Sequence, residues 1–385
     1  MTKRRGSGEG SVYRSPDGRW RGSIDMGWKD GKRVRRYVSA TTRNEAHSKL
    51  REMQRSLEQG VATDGKMTVE KWCEHWLTNV VAGRVGSPNT LQNYRQIVRG
   101  HIVPAVGRTT LAKLSAEQVD SLLAAQAQAG LSRSLIGRTR TILADALRHA
   151  ERRGLVPRNA GSLSVMPQTA PATARRSLTP DEARELMAAA AGERLEALVT
   201  VGLCCGLRPG ELAGLLWSDI DLQGEVPTLT VSGSLKRLPA ADGKGYRLER
   251  GDVKRSTNGR RTIALPDVAV DALRRHKVAQ TVERLKAGPT MWEDHGLVFA
   301  SEVGTPIDPT NLRRTFARIA AKGGVDARFI YALRHTAASL LVDGGAGLEQ
   351  VADLLGDDPR TLLRHYRHQV RPVAAAALGM QSVLG

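Results

Sequence analysis

The sequence predicts a multidomain protein, mainly α with small β: a three-stranded sheet plus helix, then a four-helix domain, then a mixed α+β domain. Three observations predict it. At 385 residues the chain exceeds one typical core, so two or three domains are expected. Strand and turn patterning fills residues 11–40, whereas capped helical periodicity dominates the rest of the chain. Two stretches without any period, 61–67 and 157–177, separate the patterned regions.

Within residues 1–60, SVYRS, RWRGSIDMG and KRVRRYVSA read as three short strands. Pro16-Asp17-Gly18 and Asp30-Gly31 supply the turn chemistry between them. A helix comes next. Thr42 with Glu45 spells a capping box, Ala46, Leu50, Met53 and Leu57 form one apolar stripe, and Gly60 closes it. These 60 residues carry 15 Lys/Arg against 7 Asp/Glu, and the third strand is itself studded with cations. A sheet of that width and charge suits a DNA groove.

The second domain is expected over 67–156. Val69, Trp72, Cys73, Trp76, Leu77 and Val80 share one helical face. Ser87-Pro88 starts a second helix, Ser115 with Gln118 caps a third that Gly130 ends, and Ser132 starts a fourth that Gly154 ends. Arg95, Arg99, Arg108, Arg133, Arg138 and Arg140 leave its polar side basic. Residues 157–177, PRNAGSLSVMPQTAPATARRS, read as an interdomain linker. The third domain, 178–385, opens on Thr179-Pro180-Asp181-Glu182: a cap, a proline and first-turn acids. It is mostly helical, with a strand cluster around TLTVSGSLKRL, GYRLERGDV and RRTIALP.

The charge narrows the function. A net charge of +19 and a pI near 10.4 point to a polyanionic partner. Cys73, Cys204 and Cys205 form neither a disulfide framework nor a CxxC metal pair, which fits a reduced cytoplasm. No apolar run of membrane length occurs, and MTKRRGSGEG lacks the apolar segment of a secretory signal.

Three stretches of the third domain carry chemistry. In GLRPGELAGLLW, 206–217, Arg208 precedes Pro209 and sits where a helix begins, so its side chain and the helix N-terminus are expected to face one anion. In YALRHTAASLL, 331–341, Arg334 and His335 head an apolar helix. GDDPRTLLRHYRH, 356–368, sets Tyr366 among Arg364, His365, Arg367 and His368. Two arginines and a phenol suit attack on a phosphodiester, with the guanidiniums clamping the non-bridging oxygens. The alternatives are ordinary ones. Arg208 and Arg334 could be salt-bridge partners, with Glu211 ready beside Arg208. Tyr366 could pack with its hydroxyl outward, and Asp357, Asp358, His365 and His368 could form a metal cluster.

With these residues in place, the third domain resembles the tyrosine recombinases, the family of the phage integrases. Arg208 in GLRPGEL and Arg334 in LRHTAASLL match its two arginine motifs. Arg334 lies 32 residues before Tyr366 and Gly356 of LLGDDP lies 10 before it, as in the family. The family's lysine, in a turn ahead of an RRT-apolar-Leu-Pro strand, matches Lys254, ahead of Lys236 and Lys244. Two positions depart. Tyr331 stands where the family has a histidine and can donate to a phosphate oxygen; Asp357 stands where it has histidine or tryptophan. A carboxylate there repels a phosphodiester unless it turns away or pairs with Arg360 or Arg364.

The resemblance implies an arm-type DNA-binding domain at 1–60, a core-binding domain at 67–156 and a catalytic domain after the linker, closed as a clamp on DNA. It implies a site-specific recombinase that integrates and excises a mobile element. Tyr366 would form a 3′-phosphotyrosyl intermediate, Lys254 would act as general acid, and no metal, ATP or other cofactor would be needed. The partners implied are double-stranded DNA at core and arm attachment sites, a tetramer of the chain, and an excision or host DNA-bending factor. The apolar tail AAAALGMQSVLG would close the domain or dock on a neighbouring protomer. A resolvase or invertase of the same chemistry, and a DNA-binding regulator that has lost catalysis, are the competing functions.

Overall fold

The computed structural model describes residues 10–29, 32–58, 67–169, 176–240, 245–253, 259–327, 329–360 and 362. The chain divides into two compact units, Met1–Ala172 and Thr173–Gly385. Among the described residues no helix is long and apolar enough to cross a membrane.

The first unit begins with an antiparallel sheet in the order β1 (Ser11–Arg14), β2 (Trp20–Lys29), β3 (Lys32–Ala40). A bulge between Asp25 and Trp28 shifts the β2–β3 register. Helix α1 (Arg43–Glu58) covers it and buries Ala46 and Leu50, the latter packed over Gly22 of β2. Its start differs slightly from a reciprocal box. Thr42 Oγ1 accepts from the Glu45 N–H, but the Glu45 carboxylate reaches back to the N–H and hydroxyl of Thr41.

Four long helical runs come next. The first is α2 (Val69–Trp76), capped by Thr68 and prolonged by a π-helical turn over Leu77–Val81 and a last turn, Ala82–Arg84. The second is α3 (Pro88–Ile97), likewise prolonged by a π-helical turn at Val98–Ile102 and a closing Val103–Val106. The second π turn has a visible cause. Pro104 has no N–H to give the carbonyl four residues back, so the ladder widens there. The third and fourth are α4 (Ala116–Gln128) and α5 (Arg133–Arg152), whose expected caps Ser115 and Ser132 both form. Trp72 and Trp76 fill the centre, and Trp72 Nε1 donates to the carbonyl of Ala146 at 2.9 Å.

The expected linker differs from the structure over 157–169. A short helix, α6 (Ala160–Leu163), packs onto α5. Asn159 caps it and donates to the carbonyl of Ala144, and Arg140 holds the carbonyls of Ser162 and Ser164. The composition that reads as a linker has a packing purpose. A Cβ on Gly161 would lie 2.8 Å from the Ala144 Cα, so only glycine permits this approach.

In the second unit, α7 (Pro180–Ala190) starts with the full capping box of Thr179 and Glu182. Helix α8 (Glu196–Cys205) is apolar on nearly every side and lies in the core. A five-residue helix, α9 (Pro209–Ala213), comes after it. Strands β4 (Ile220–Asp221), β5 (Thr228–Val231) and β8 (Arg261–Ala264) form one antiparallel sheet in that order. Strands β6 (Gly233–Pro239) and β7 (Tyr246–Asp252) form a separate hairpin. Helices α10 (Asp267–Met291), α11 (Pro309–Lys322), α12 (Tyr331–Asp343) and α13 (Leu348–Leu355) come after them among the described residues. Two glycines bring the site's carriers together. A Cβ on Gly202 would lie 2.6 Å from Leu333 Cδ1, so α12 can press onto α8 beside Arg334. A Cβ on Gly214 would lie 2.6 Å from the Leu235 backbone nitrogen, so α9 can press onto β6.

Candidate active site

Arg208 and Arg334 are 126 residues apart in sequence and converge on one carboxylate. Helix α8 ends in Gly206, a left-handed residue at φ 60°, which turns the chain so that Leu207 is buried and Arg208 emerges ahead of Pro209. Arg334 lies one turn into α12, its side chain 3% exposed. Its Nη1 donates to the Gly206 carbonyl at 2.8 Å, so the turn that aims Arg208 also anchors Arg334.

The carboxylate is Asp357. Helix α13 ends in a second left-handed glycine, Gly356, and Asp357 comes directly after it. Arg208 Nη2 donates to Asp357 Oδ1 and, at 2.9 Å, to the Gly356 carbonyl. Arg334 Nη2 donates to Asp357 Oδ2 at 2.5 Å. This corrects the expectation that Asp357 turns away or pairs with Arg360. It pairs with the two clamp arginines, the Arg360 N–H goes to Asp358, and Arg364 lies outside the described residues. The physical reason is field strength: two guanidiniums side by side attract an anion more strongly than one surface arginine can.

Behind Arg208 lies a second carboxylate. Glu211, 4% exposed, accepts from Arg208 Nη1 at 2.8 Å and from the Arg208 backbone N–H at 2.9 Å. The Arg208 N–H, just ahead of α9, is taken by Glu211, and α9 itself is a single short turn. Glu211 also accepts from Arg261 Nη2 at 2.9 Å, and Arg261 Nε donates to the Leu354 carbonyl at 2.6 Å. Burial alone would push the Glu211 carboxyl up. The Arg261 and Arg208 guanidiniums and the Arg208 N–H outweigh it and hold it below the ordinary carboxylate range. Burial would likewise lower Arg208, but Glu211 first, then Asp357 and Tyr331, raise it.

Tyr331 therefore stands within electrostatic reach of Arg208, and its ring meets His335 edge-on at 4.9 Å. Lys254 and Tyr366 lie outside the described residues, as do Lys244, His365 and His368. Lys236 is exposed on β6, opposite Glu249. The metal reading loses Asp357 to the arginines, and among the described residues no group of three or more His, Cys, Asp or Glu could hold a metal. Burial pushes the Cys205 thiol up to about 12, so it stays protonated beside the site.

Sequence reasoning misses Arg261 and Arg250. In the sequence Arg261 is only part of the RRT landmark, yet it joins β8 to Glu211 and to the end of α13. Arg250 on β7 donates to the Gly214 carbonyl at 2.7 Å and to Ser232 Oγ at 2.6 Å, fastening α9 to the hairpin. Each is an arginine in a strand, a weak signal of an inward-facing charge.

Two convergent, braced guanidiniums make a site that holds a small anion. Known proteins of similar sequence and fold say which kind. The profile of the Phage integrase family matches residues 176–371. An integrase of Streptomyces ambofaciens is 36% identical over 391 positions, covering 97% of this chain and 95% of the relative. A XerC-like tyrosine recombinase of Caldanaerobacter subterraneus subsp. tengcongensis is 30% identical over 339 positions, covering 85% and 86%. Among solved structures, the Tn1549 transposon integrase bound to transposon right-end DNA has the same fold (TM-score 0.66, 19% identity, 83% of this chain, 100% of that one). So has a lambda integrase tetramer bound to a Holliday junction (TM-score 0.57, 18% identity, 90% and 95%). The chain belongs to the phage integrase family of tyrosine recombinases. It is a site-specific recombinase, and the reading as a regulator without catalysis is not favoured.

Proposed function

We propose that the chain integrates and excises a mobile element by cutting and rejoining DNA through a 3′-phosphotyrosyl intermediate. Arg208 and Arg334 hold the non-bridging oxygens of the scissile phosphate and offset the charge that builds on them. The Tyr366 phenolate oxygen attacks phosphorus in line, the phosphorus–O5′ bond breaks, and Lys254 gives the departing 5′-oxygen a proton. Tyr331 donates a further hydrogen bond to the phosphate, in place of the family's imidazole. The new ester conserves the energy of the old one, so rejoining to the 5′-hydroxyl of a partner strand needs neither ATP nor metal.

The observation that carries this reading is the convergence of Arg208 and Arg334 on a single anion, Asp357, within hydrogen-bonding distance of both. The solved complexes of similar proteins, one on transposon-end DNA and one a tetramer on a Holliday junction, support DNA as the partner and a tetramer as the assembly. The 15 Lys/Arg of residues 1–60 support arm-site binding by the N-terminal sheet, with salt-sensitive affinity. An excision or DNA-bending factor would set direction, and the reaction would take place in the cytoplasm.

The test is a nicked suicide substrate carrying the attachment site from DNA flanking the gene. A covalent protein–DNA adduct is expected with chelator present and lost in Tyr366→Phe. Sequence-specific binding without any adduct would instead support a regulator, and inhibition by chelator a metal nuclease.

A further inference from the structure

We infer that Asp357 is a built-in occupant of the scissile-phosphate site, which DNA must displace, and that it sets how selectively the clamp accepts phosphate. This rests on the reading of Arg208 and Arg334 as the phosphate clamp. The carboxylate spans the two arginines with one oxygen each, as two non-bridging phosphate oxygens would. The inner groups of both guanidiniums are already committed: Arg208 Nη1 to Glu211, Arg334 Nη1 to the Gly206 carbonyl. Both Nη2 groups donate to Asp357, and that of Arg208 also to the Gly356 carbonyl at 2.9 Å. A phosphate and a carboxylate cannot share them, because two anions would then stand within about 3–4 Å in a half-buried site.

The position of Asp357 suits an exchangeable anion. Its side chain is 21% exposed and that of Arg208 36%, whereas Arg334 below is 3% exposed. The carboxylate therefore lies at the mouth and can leave toward solvent. Its backbone is held just past the end of α13, the Asp357 N–H by the Ala352 carbonyl at 2.9 Å, so the short side chain can leave by rotating about χ1 alone. Glu211, 4% exposed and gripped by Arg261 as well, has no such exit.

The consequence is selectivity. A loose phosphate gains two charged hydrogen bonds but forfeits the two that Asp357 makes, so the exchange is nearly neutral. A scissile phosphate pressed in by duplex contacts elsewhere has that additional binding energy to complete the exchange. A neutral side chain here would leave the two arginines without an occupant; aspartate keeps the clamp filled until correctly seated DNA arrives.

The test uses the full chain and inorganic phosphate as probe, with thermal melting read against chloride at matched ionic strength. Asp357→Asn removes the charge and keeps the shape. It is expected to melt below wild type in chloride and to regain stability with phosphate. Its apparent phosphate Kd should be at least about tenfold tighter than that of wild type, the size of one charge-assisted hydrogen bond. Asp357→Ser, smaller and neutral, repeats the comparison; a variant that folds only with phosphate is the same result in its strongest form. Equal phosphate affinity in wild type and both variants overturns the inference, as do variants unfolded with and without phosphate. Adding Arg208→Ala to Asp357→Asn should erase the gain. If the gain survives without Arg208, the clamp reading fails instead.

Discussion

Two carboxylates meet Arg208, one on each terminal nitrogen, and they are not alike. Glu211 lies on α9 three residues from its arginine, 4% exposed, and is held as well by Arg261 on β8. Asp357 arrives from α13, 149 residues away, 21% exposed, and is shared with Arg334. A buried carboxylate that neutralises a buried cation, here Arg261 at 7% exposed, is scaffold, because moving it would strand charge in a medium that cannot solvate it. A carboxylate at the mouth leaves its cations only until another anion replaces it. The same pairing of charges thus fixes one region and leaves the other exchangeable, and burial decides which.

The largest expected effect is on the rate. Arg334→Ala removes the deeper cation of the clamp and should slow covalent adduct formation by about 10²–10³-fold, with DNA binding mostly retained. A rate within about threefold of wild type would mean that Arg334 serves the fold alone. Next comes stability. Glu211→Gln leaves Arg261 buried without a counterion and should cost about 3–5 kcal/mol in urea unfolding. Asp357→Asn, at the mouth, should cost only about 1–3 kcal/mol. Equal losses would break the contrast between scaffold and occupant.

Gly206→Ala sharpens the scaffold side. The residue sits at φ 60°, and a Cβ there would stand 2.3 Å from Leu355 Cδ2, so a loss of about 1–3 kcal/mol is expected. Because the Gly206 carbonyl anchors Arg334, the adduct rate should fall with it. Stability lost with an unchanged rate would separate the turn from the clamp.

The smallest effect is in pH. The Glu211 carboxyl is held below its ordinary value in the folded chain. Its contribution is therefore fully present above the ordinary carboxylate range and is lost as pH falls through the depressed folded value. The stability gap between wild type and Glu211→Gln should stay flat from neutral pH into mild acid and close only below that range. A gap that closed between about pH 5 and 7 would show that Arg261 does not hold the carboxyl low.

Much of this was legible in the chain, for local reasons. The Thr179-Pro180-Asp181-Glu182 start, the Ser115 and Ser132 caps and the strands of the N-terminal sheet depend on neighbours a few residues away. The stretch 157–169 was not legible as packed structure. Small residues read as a linker by composition, and only the approach of Gly161 to Ala144 shows that smallness is what packs it. The π turn before Pro104 has the same character: the proline is visible, but its tolerance depends on helices around it.

The sequence by itself determined the family and the spacing of both arginines, because spacing along a chain is a one-dimensional property. It also showed that Asp357 was out of pattern. Only the tertiary structure decided where that carboxylate goes: into the clamp, between Arg208 and Arg334. The physical reason is that an ion pair depends on distance and desolvation in space. Those are set by Gly206, Gly202 and Arg261 joining segments that lie far apart along the chain.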